Sequence, residues 1–296
     1  MGLLDGLGKF GINDLGVDDI FSTKEEKKDS AENNSEPAEA KVEKPRVNEM
    51  DFLFEKTYEC PVCDFSFKEL TVKSSRARVI KIEKNLRPVV EDFEPIKYEV
   101  ISCPMCGYTT MNRYFGPIMP RHKEAFIAEI GRSYPANKYY QPFVMGYDEA
   151  IERVELALAT AIVKKAKASE KAYICLKGKW LCESCFADSV VLERMTEEEK
   201  AKMEEKHTEF HNLAFDGFIA ARQSEDFPIA GMDSSTLDYL IAAMAMESGK
   251  YDVSSKMVSS LLQNVATPSR IKDKARAIKE ELIVRIKEQK DGKTQG

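Results

Sequence analysis

The chain has 296 residues, a formal net charge of −6 at pH 7, and 43% hydrophobic and 32% charged residues. This length is sufficient for two domains with separate cores, and the acidic balance disfavours general attraction to nucleic acid or to an anionic membrane. No segment is long and apolar enough for a transmembrane helix, and the N-terminus has neither a signal-peptide nor a myristoylation pattern. We expect a cytoplasmic protein, because a reducing compartment also suits seven cysteines of which four have metal-ligand spacing.

The N-terminal part of the chain divides into two segments of different composition. Residues 1–22 contain many large apolar side chains among glycines and aspartates. Such a segment is either a docking peptide that folds on a partner or a tail that packs on its own protein. Residues 23–48 are nearly devoid of large apolar side chains, so we predict a disordered linker that cannot bury enough surface to offset the entropy of ordering.

Residues 49–116 have the pattern of a small β domain. Short runs of β-branched and aromatic residues predict strands near 65–68, 78–82 and 98–102. Pro88 and Pro95, with acidic residues between them, predict a loop in the middle of this region.

Two CPxC knuckles are the most specific motif of the chain. In such a turn the residue after the second cysteine often has a left-handed backbone, for which Gly107 is well suited and Asp64 is among the better non-glycine residues. Two pairs of thiolates fill a tetrahedral site and leave no open coordination position, so we predict a structural metal centre whose binding energy is largely folding energy. The predicted ligands are Cys60, Cys63, Cys103 and Cys106.

The motif alone does not decide between zinc and iron. Rubredoxins bind iron through two such knuckles for one-electron transfer. The insert between the knuckles is long here, lacks tryptophan and is basic in its first half. We therefore favour Zn²⁺ and keep iron as the alternative.

This insert also raises the question of nucleic-acid contact. Residues 66–90 contain seven basic and only two acidic residues, and acidic residues follow. A basic strand on a zinc ribbon is typical of nucleic-acid binding, but the region as a whole is nearly neutral, which favours a solvated strand face. The alternative, a nucleic-acid contact, would use Lys73, Arg76, Arg78 and Lys81.

Residues 117–146 are predicted to connect the two parts, with Tyr134 and Phe143 among the aromatic residues that pack the β domain onto the first long helix. Beyond them, apolar residues recur at intervals of three and four, which predicts a helical domain over 147–290 and a tail over 291–296. The predicted helices lie near 147–165, 169–191, 196–223, 234–248, 251–265 and 269–289.

Residues 235–268 are the best local match to a tetratricopeptide unit. Gly249 begins the predicted turn between its two helices, Ser254 takes the small crossing position, and Pro268 is expected to close the second helix. The aromatic positions of the consensus are missing, so we predict a degenerate helical hairpin within a stacked array.

A second constellation of possible metal ligands lies within the predicted helices. Cysteines at i and i+3 share one helix face, as do histidines at i and i+4. Antiparallel pairing of the two helices would place Cys182 and His207 at similar heights, but Cys185 and His211 fall out of register. We therefore expect buried core cysteines and surface histidines, with a second metal site at Cys182, Cys185, His207 and His211 as the alternative.

Three stretches together resemble a known family. They begin at Cys60 (CPVCDFSF), Ser74 (SSRAR) and Tyr98 (YEVISCPMCGY). Over about residues 50–289 the chain resembles the bacterial domain-of-unknown-function family 2225, which implies a zinc-ribbon-like part followed by tetratricopeptide-like helices. Asp64 and Cys182 depart from the family pattern. The family has no established activity, so the resemblance implies an architecture and a metal, but no reaction.

The predicted fold class is α+β, mostly α, with a small four-cysteine zinc-ribbon-like β domain followed by a tetratricopeptide-like antiparallel helical array. The sequence contains no GxSxG, P-loop, dinucleotide glycine fingerprint or HExxH motif, so we expect no catalytic activity. Stacked arrays commonly present an extended groove, which favours a metal-stabilised adaptor that binds a protein or peptide. The alternatives are a nucleic-acid-binding regulator that uses the basic hairpin and a rubredoxin-like electron-transfer protein.

Overall fold

The computed structural model describes residues 3–10 and 48–294, with side chains described as far as residue 289. The fold is α+β and mostly α, as predicted, with small antiparallel sheets near the four cysteines followed by a helical array. Apart from Asn48, the linker predicted over residues 23–48 lies outside the described residues. No helix within the described ranges is long and apolar enough to cross a membrane.

Six strands in the described part of the chain form three antiparallel hairpins. Their bounds are β1 Leu53–Glu59, β2 Ser66–Val72, β3 Val79–Ile82, β4 Pro88–Val90, β5 Val100–Ser102 and β6 Thr109–Met111. β1 pairs with β2, β3 with β4, and β5 with β6. The first and third hairpins each enclose one CPxC knuckle, so each pair of cysteines lies at the turn between two strands.

The middle hairpin differs from the sequence expectation. Pro88 does not break the chain into a loop but begins β4, where it lies opposite Ile82. Proline is tolerated as the first residue of an edge strand. Its missing N–H then removes no hydrogen bond to a neighbouring strand.

Eight α-helices follow in the described residues. Their bounds are α1 Pro120–Phe126, α2 Tyr147–Val163, α3 Ala168–Ala187, α4 Ser189–Leu192, α5 Glu197–Ser224, α6 Ser234–Glu247, α7 Tyr251–Gln263 and α8 Ser269–Thr294. The six predicted helices correspond to all of these except α1, which continues into a π-helical turn, and α4. Asp188 separates α3 from α4 because its carboxylate accepts the first free N–H groups of α4.

The predicted tetratricopeptide-like hairpin corresponds to α6 and α7. Gly249 has a φ of +69° in the turn, and buried Ser254 donates a 2.8 Å hydrogen bond from Oγ to the Ala242 carbonyl, which lets the two helices approach closely. Pro268 does not close α7, which ends at Gln263. The carbonyl of Pro268 instead accepts backbone N–H groups of the first turn of α8.

The hydrophobic core is continuous between the knuckles and the helices. One cluster of buried side chains includes Cys60 and Cys103, strands β5 and β6, and helices α2, α3, α5 and α6. A second cluster joins α6, α7 and α8, and Leu86 from the tip of the middle hairpin packs against both clusters. This hairpin therefore links the two parts of the core.

The described N-terminal residues pack on the same protein. Leu3, Leu4 and Leu7 are buried in the first cluster, and Lys9 forms an ion pair with Glu152 of α2. These contacts correspond to the self-packing alternative for residues 3–10, and the other residues of the predicted docking peptide lie outside the described ranges.

Candidate metal centre and neighbouring sites

The four predicted cysteines converge on one point. Their sulfur atoms all lie within 4.8 Å of one another, and the Cys60–Cys106 and Cys63–Cys103 sulfur pairs are each 3.6 Å apart. A disulfide bond would require about 2.05 Å. A tetrahedral site with metal–sulfur bonds of about 2.3 Å separates its sulfurs by roughly 3.8 Å. The geometry and the donor set therefore fit one four-coordinate metal ion.

The two knuckles have the same backbone geometry. The N–H of Asp64 donates to the Cys60 carbonyl, and the N–H of Gly107 donates to the Cys103 carbonyl, each at 2.9 Å. Both residues have the left-handed conformation expected from the sequence, with φ of +60° and +75°. The hairpin strands fix the ends of each turn, and this turn geometry positions the two thiols of each pair.

The thiols of Cys60, Cys103 and Cys106 do not ionise independently, because each shifts the pKa of the other two. Hydrogen bonds from Cys106 and then Cys60 lower the pKa of Cys103. Hydrogen bonding to Cys103 and Cys60, followed by burial, raises the pKa of Cys106. Four thiolates at this spacing need a cation among them, because each thiolate raises the cost of ionising the next.

The third hairpin is fastened to the rest of the protein at its knuckle. The ring of Tyr134 lies so close to Gly107 that an added Cβ would be 2.3 Å from its Cδ2 atom, and the ring of Phe10 stacks on that of Tyr134 at a centroid distance of 5.4 Å. The backbone N–H of Asn137 donates to the carbonyl of Pro104 at 2.8 Å. The connecting segment thus covers this knuckle.

The candidate nucleic-acid residues lie on and before β3. Arg76, Arg78 and Lys81 are exposed, and Lys81 forms a 3.0 Å ion pair with Glu83. Lys73 donates to the backbone carbonyl of Asp51 at 3.1 Å. The arginines are accessible, whereas both lysines have partners within the protein.

The tip of the middle hairpin contacts the helical array, which the sequence did not indicate. Asn85 donates from Nδ2 to both carboxylate oxygens of Glu183 on α3, at 2.8 and 2.9 Å. Arg87 donates to Ser184 at 2.7 Å, and Lys84 pairs with Glu281 of α8 at 2.5 Å. Two of the cations counted in the basic insert are therefore used in contacts with the array.

The second predicted constellation does not form a shared set of ligands. Cys182 and Cys185 are buried, and burial raises the pKa of both thiols. Cys185 lies 3.8 Å from the sulfur of Met195. Neither cysteine belongs to a group of three or more metal-ligand atoms among the described residues, and both histidines contact other groups.

His207 instead joins two glutamates that the sequence did not single out. Glu183, His207 and Glu247 have ligand-type atoms within 4.8 Å of one another. However, the fully buried ammonium of Lys179 contacts Glu183 and lies 2.9 Å from Glu247. Although burial opposes ionisation, the hydrogen bond from His207 and the charge of Lys179 lower the pKa of Glu183 to about 2. The Lys179 ammonium and the Arg87 guanidinium, which lies 3.3 Å from Glu183, together balance the two carboxylates. We therefore interpret the cluster as a buried ion-pair network.

His211 and Ser248 resemble part of a nucleophilic triad. Nε2 of His211 hydrogen-bonds with Oγ of Ser248, and Nδ1 lies 3.7 Å from Oε2 of Glu247. The Ser248 hydroxyl also donates to a carbonyl of the preceding α6 turn at 2.9 Å, and the next two backbone N–H groups bond to carbonyls of the same turn. These two N–H groups are not free to stabilise an oxyanion. We therefore interpret the arrangement as a cap of α6.

A large cavity lies beside this network. Its volume is about 1090 Å³, and it is bounded by the tip of the middle hairpin, the ends of α6 and α7, and α8. Buried Ala243 and Ile278 line it together with charged residues that include Lys84, Glu281 and Arg285.

The fold and the site together define a class: a protein in which two CPxC knuckles on β-hairpins bring four cysteines together, and in which these hairpins pack against an antiparallel helical array. Comparison with family models identifies the particular family. The chain belongs to the family described as "Uncharacterized protein conserved in bacteria (DUF2225)", whose model matches residues 53–282. This confirms the resemblance inferred from the sequence. Comparisons with curated proteins and with solved structures found no match.

Proposed function

We propose that this protein is a non-catalytic adaptor whose knuckle region is stabilised by Zn²⁺ and whose helical array binds a segment of a protein partner. The observation that carries the proposal is the cavity of about 1090 Å³ between the hairpin tip and helices α6, α7 and α8. The lining of this cavity combines charged and apolar side chains, and such a mixed composition is typical of protein–protein contact surfaces.

Several features support a structural use of the metal centre. All four ligands are cysteines, so a tetrahedral ion has no free position for a substrate. Zn²⁺ would supply folding energy without redox chemistry. The cysteines bring the knuckle ends of the β1–β2 and β5–β6 hairpins together, so a metal bound there would join these two hairpins.

Metal analysis tests this part of the proposal. Protein purified without added metal should contain about one zinc per chain by mass spectrometry and should lack visible absorbance. A stoichiometric iron content with the visible bands of an iron–thiolate centre would instead support the electron-transfer alternative.

Photocrosslinking in bacterial cells tests the binding role of the cavity. A benzophenone amino acid at Tyr251, which lines the cavity, should give discrete protein adducts. The matched control is Val265, which is 93% exposed in the loop after α7. Adducts that are the same at both positions, or absent from both, would contradict a partner site in the cavity.

A further inference from the structure

Strand β3 exposes three aliphatic side chains to solvent. Val79, Ile80 and Ile82 are 50%, 57% and 42% exposed, and all four residues of the strand are exposed. Successive strand residues normally alternate between a buried and a solvated face. Exposed aliphatic side chains grouped on one short strand are typical of an interaction surface.

The strand is held in place at its tip. Asn85 and Arg87 are each only 9% exposed. Asn85 donates a hydrogen bond to Glu183 of α3, and Arg87 donates one to Ser184 of the same helix. An isolated two-stranded hairpin is marginally stable in water, but these contacts fix the hairpin to the helical array. The exposed surface is thus presented on a fixed support, which lowers the entropic cost of binding.

Unpaired cations flank the aliphatic residues. Arg76 and Arg78 are exposed, and neither has an ion-pair partner among the described residues. The chain as a whole has a net charge of −6, so this region differs in sign from the average surface. Its charge favours a partner with carboxylates beside apolar side chains.

Two other occupants fit the surface less well. Pairing with the β3 strand of a second copy would bring like charges together, and the irregular register between Val79 and Lys81 interrupts the strand. Nucleic acid would meet three aliphatic side chains and, on residues 79–90, no aromatic ring for base stacking. Lys84 and Arg87 already contact the array.

We propose that Val79, Ile80 and Ile82, together with Arg76 and Arg78, form a second docking surface for an acidic, amphipathic segment of a protein partner. Aliphatic side chains of the partner cover β3, and its carboxylates pair with the arginines. This surface is separate from the cavity in the array. A negative result for one binding site would therefore not contradict the other.

Peptide selection on the full-length protein tests the proposal. A random twelve-residue peptide library displayed on phage is selected on wild-type protein and counter-selected on Ile80→Asp. Selected peptides should be enriched in Asp, Glu and aliphatic residues. A synthetic copy of the leading peptide, measured by fluorescence anisotropy, should bind both Ile80→Asp and an Arg76→Glu, Arg78→Glu double variant at least about tenfold more weakly.

The matched control is Val265→Asp, which changes an exposed aliphatic residue elsewhere and should leave the affinity unchanged. Circular dichroism checks that every variant remains folded.

Selection of peptides without enrichment in Asp and Glu, or equal peptide affinity for wild type and the variants, would overturn the proposal. A dimer in sedimentation that Ile80→Asp dissociates would assign the surface to a second copy, and oligonucleotide binding lost in the arginine variant would assign it to nucleic acid.

Discussion

Each knuckle depends on one residue with an unusual backbone conformation. Asp64 and Gly107 both follow the second cysteine of their pair and have positive φ. A left-handed backbone costs most L-residues roughly 1–2 kcal/mol, but glycine adopts it without a steric penalty. Gly107 has a second reason to lack a side chain, because the ring of Tyr134 occupies the place of its Cβ.

Replacing Gly107 with alanine should therefore weaken the fold. The new Cβ would lie 2.3 Å from a ring carbon of Tyr134, and this contact adds to the backbone strain. We expect the free energy of unfolding in urea to fall by at least about 2 kcal/mol. Gly116→Ala is the control, because an added Cβ there meets no atom within 4 Å. Equal losses in both variants would contradict the steric explanation.

His211 should make stability depend on pH. Burial, followed by the charges of Lys179, His207 and Lys250, lowers its pKa from 6.5 to about 3, while Glu183 acts in the opposite direction. Between these two values the unfolded state binds more protons than the folded state. The free energy of unfolding therefore falls as the pH decreases below 6.5, by up to about 1.4 kcal/mol per pH unit, and is fully retained above 6.5.

Urea unfolding at about pH 7.5 and pH 5.5 measures this dependence. His211→Gln should show a smaller loss than wild type between these pH values, because the depressed group is gone. His122→Gln is the control for histidine removal and should behave like wild type. Protonation of the cysteine ligands affects all three proteins alike, so the difference in slope reports His211. Identical slopes would show that His211 is not the titrating group.

At the scale of elements, the middle hairpin joins the knuckle region to the array. Asn85 at its tip donates to both carboxylate oxygens of Glu183 and accepts the N–H of Arg87. Leu86 has a φ of +66° and packs against both hydrophobic clusters. The hairpin is thus a structural connection as well as a carrier of the exposed β3 surface.

Asn85→Ala should reduce the free energy of unfolding by about 2 kcal/mol, because hydrogen bonds to a buried charged group are worth more than neutral ones. Asn212→Ala is the matched control, since Asn212 is exposed on α5 and no hydrogen bond of its side chain is found among the described residues. Urea denaturation followed by circular dichroism compares the two. A loss below about 0.5 kcal/mol for Asn85→Ala would show that the tip contact is dispensable.

Local patterns were sufficient to predict some elements and not others. The long helices have apolar residues at regular spacing, and the knuckles have a motif with one geometric solution, so both were predictable. The predictions for Pro88 and Pro268 were wrong, because proline is compatible with the first residue of a strand and with the residue before a helix as well as with a break. The Glu183, His207 and Glu247 cluster joins three helices, and such a contact leaves no trace in local spacing.

At the scale of the whole molecule, the predicted β domain and helical domain share one core. Helix α2 packs against β5 and β6, and the same cluster of buried side chains includes cysteines of the candidate metal centre. Helices α6, α7 and α8 have an additional cluster of their own. Loss of the metal centre should therefore spread into α2 but leave the C-terminal helices largely protected.

Cys103→Ser tests how far this coupling extends. The variant removes one thiolate from the metal centre, so we expect hydrogen exchange, followed by mass spectrometry, to accelerate in β5, β6 and α2, while α6 to α8 stay close to wild type. Chelation of the wild-type protein should give the same pattern. Cys175→Ala, which changes a buried thiol outside the centre, should not accelerate exchange in β5 and β6. Acceleration confined to the strands would mean that the β region and α2 unfold independently, despite their common core.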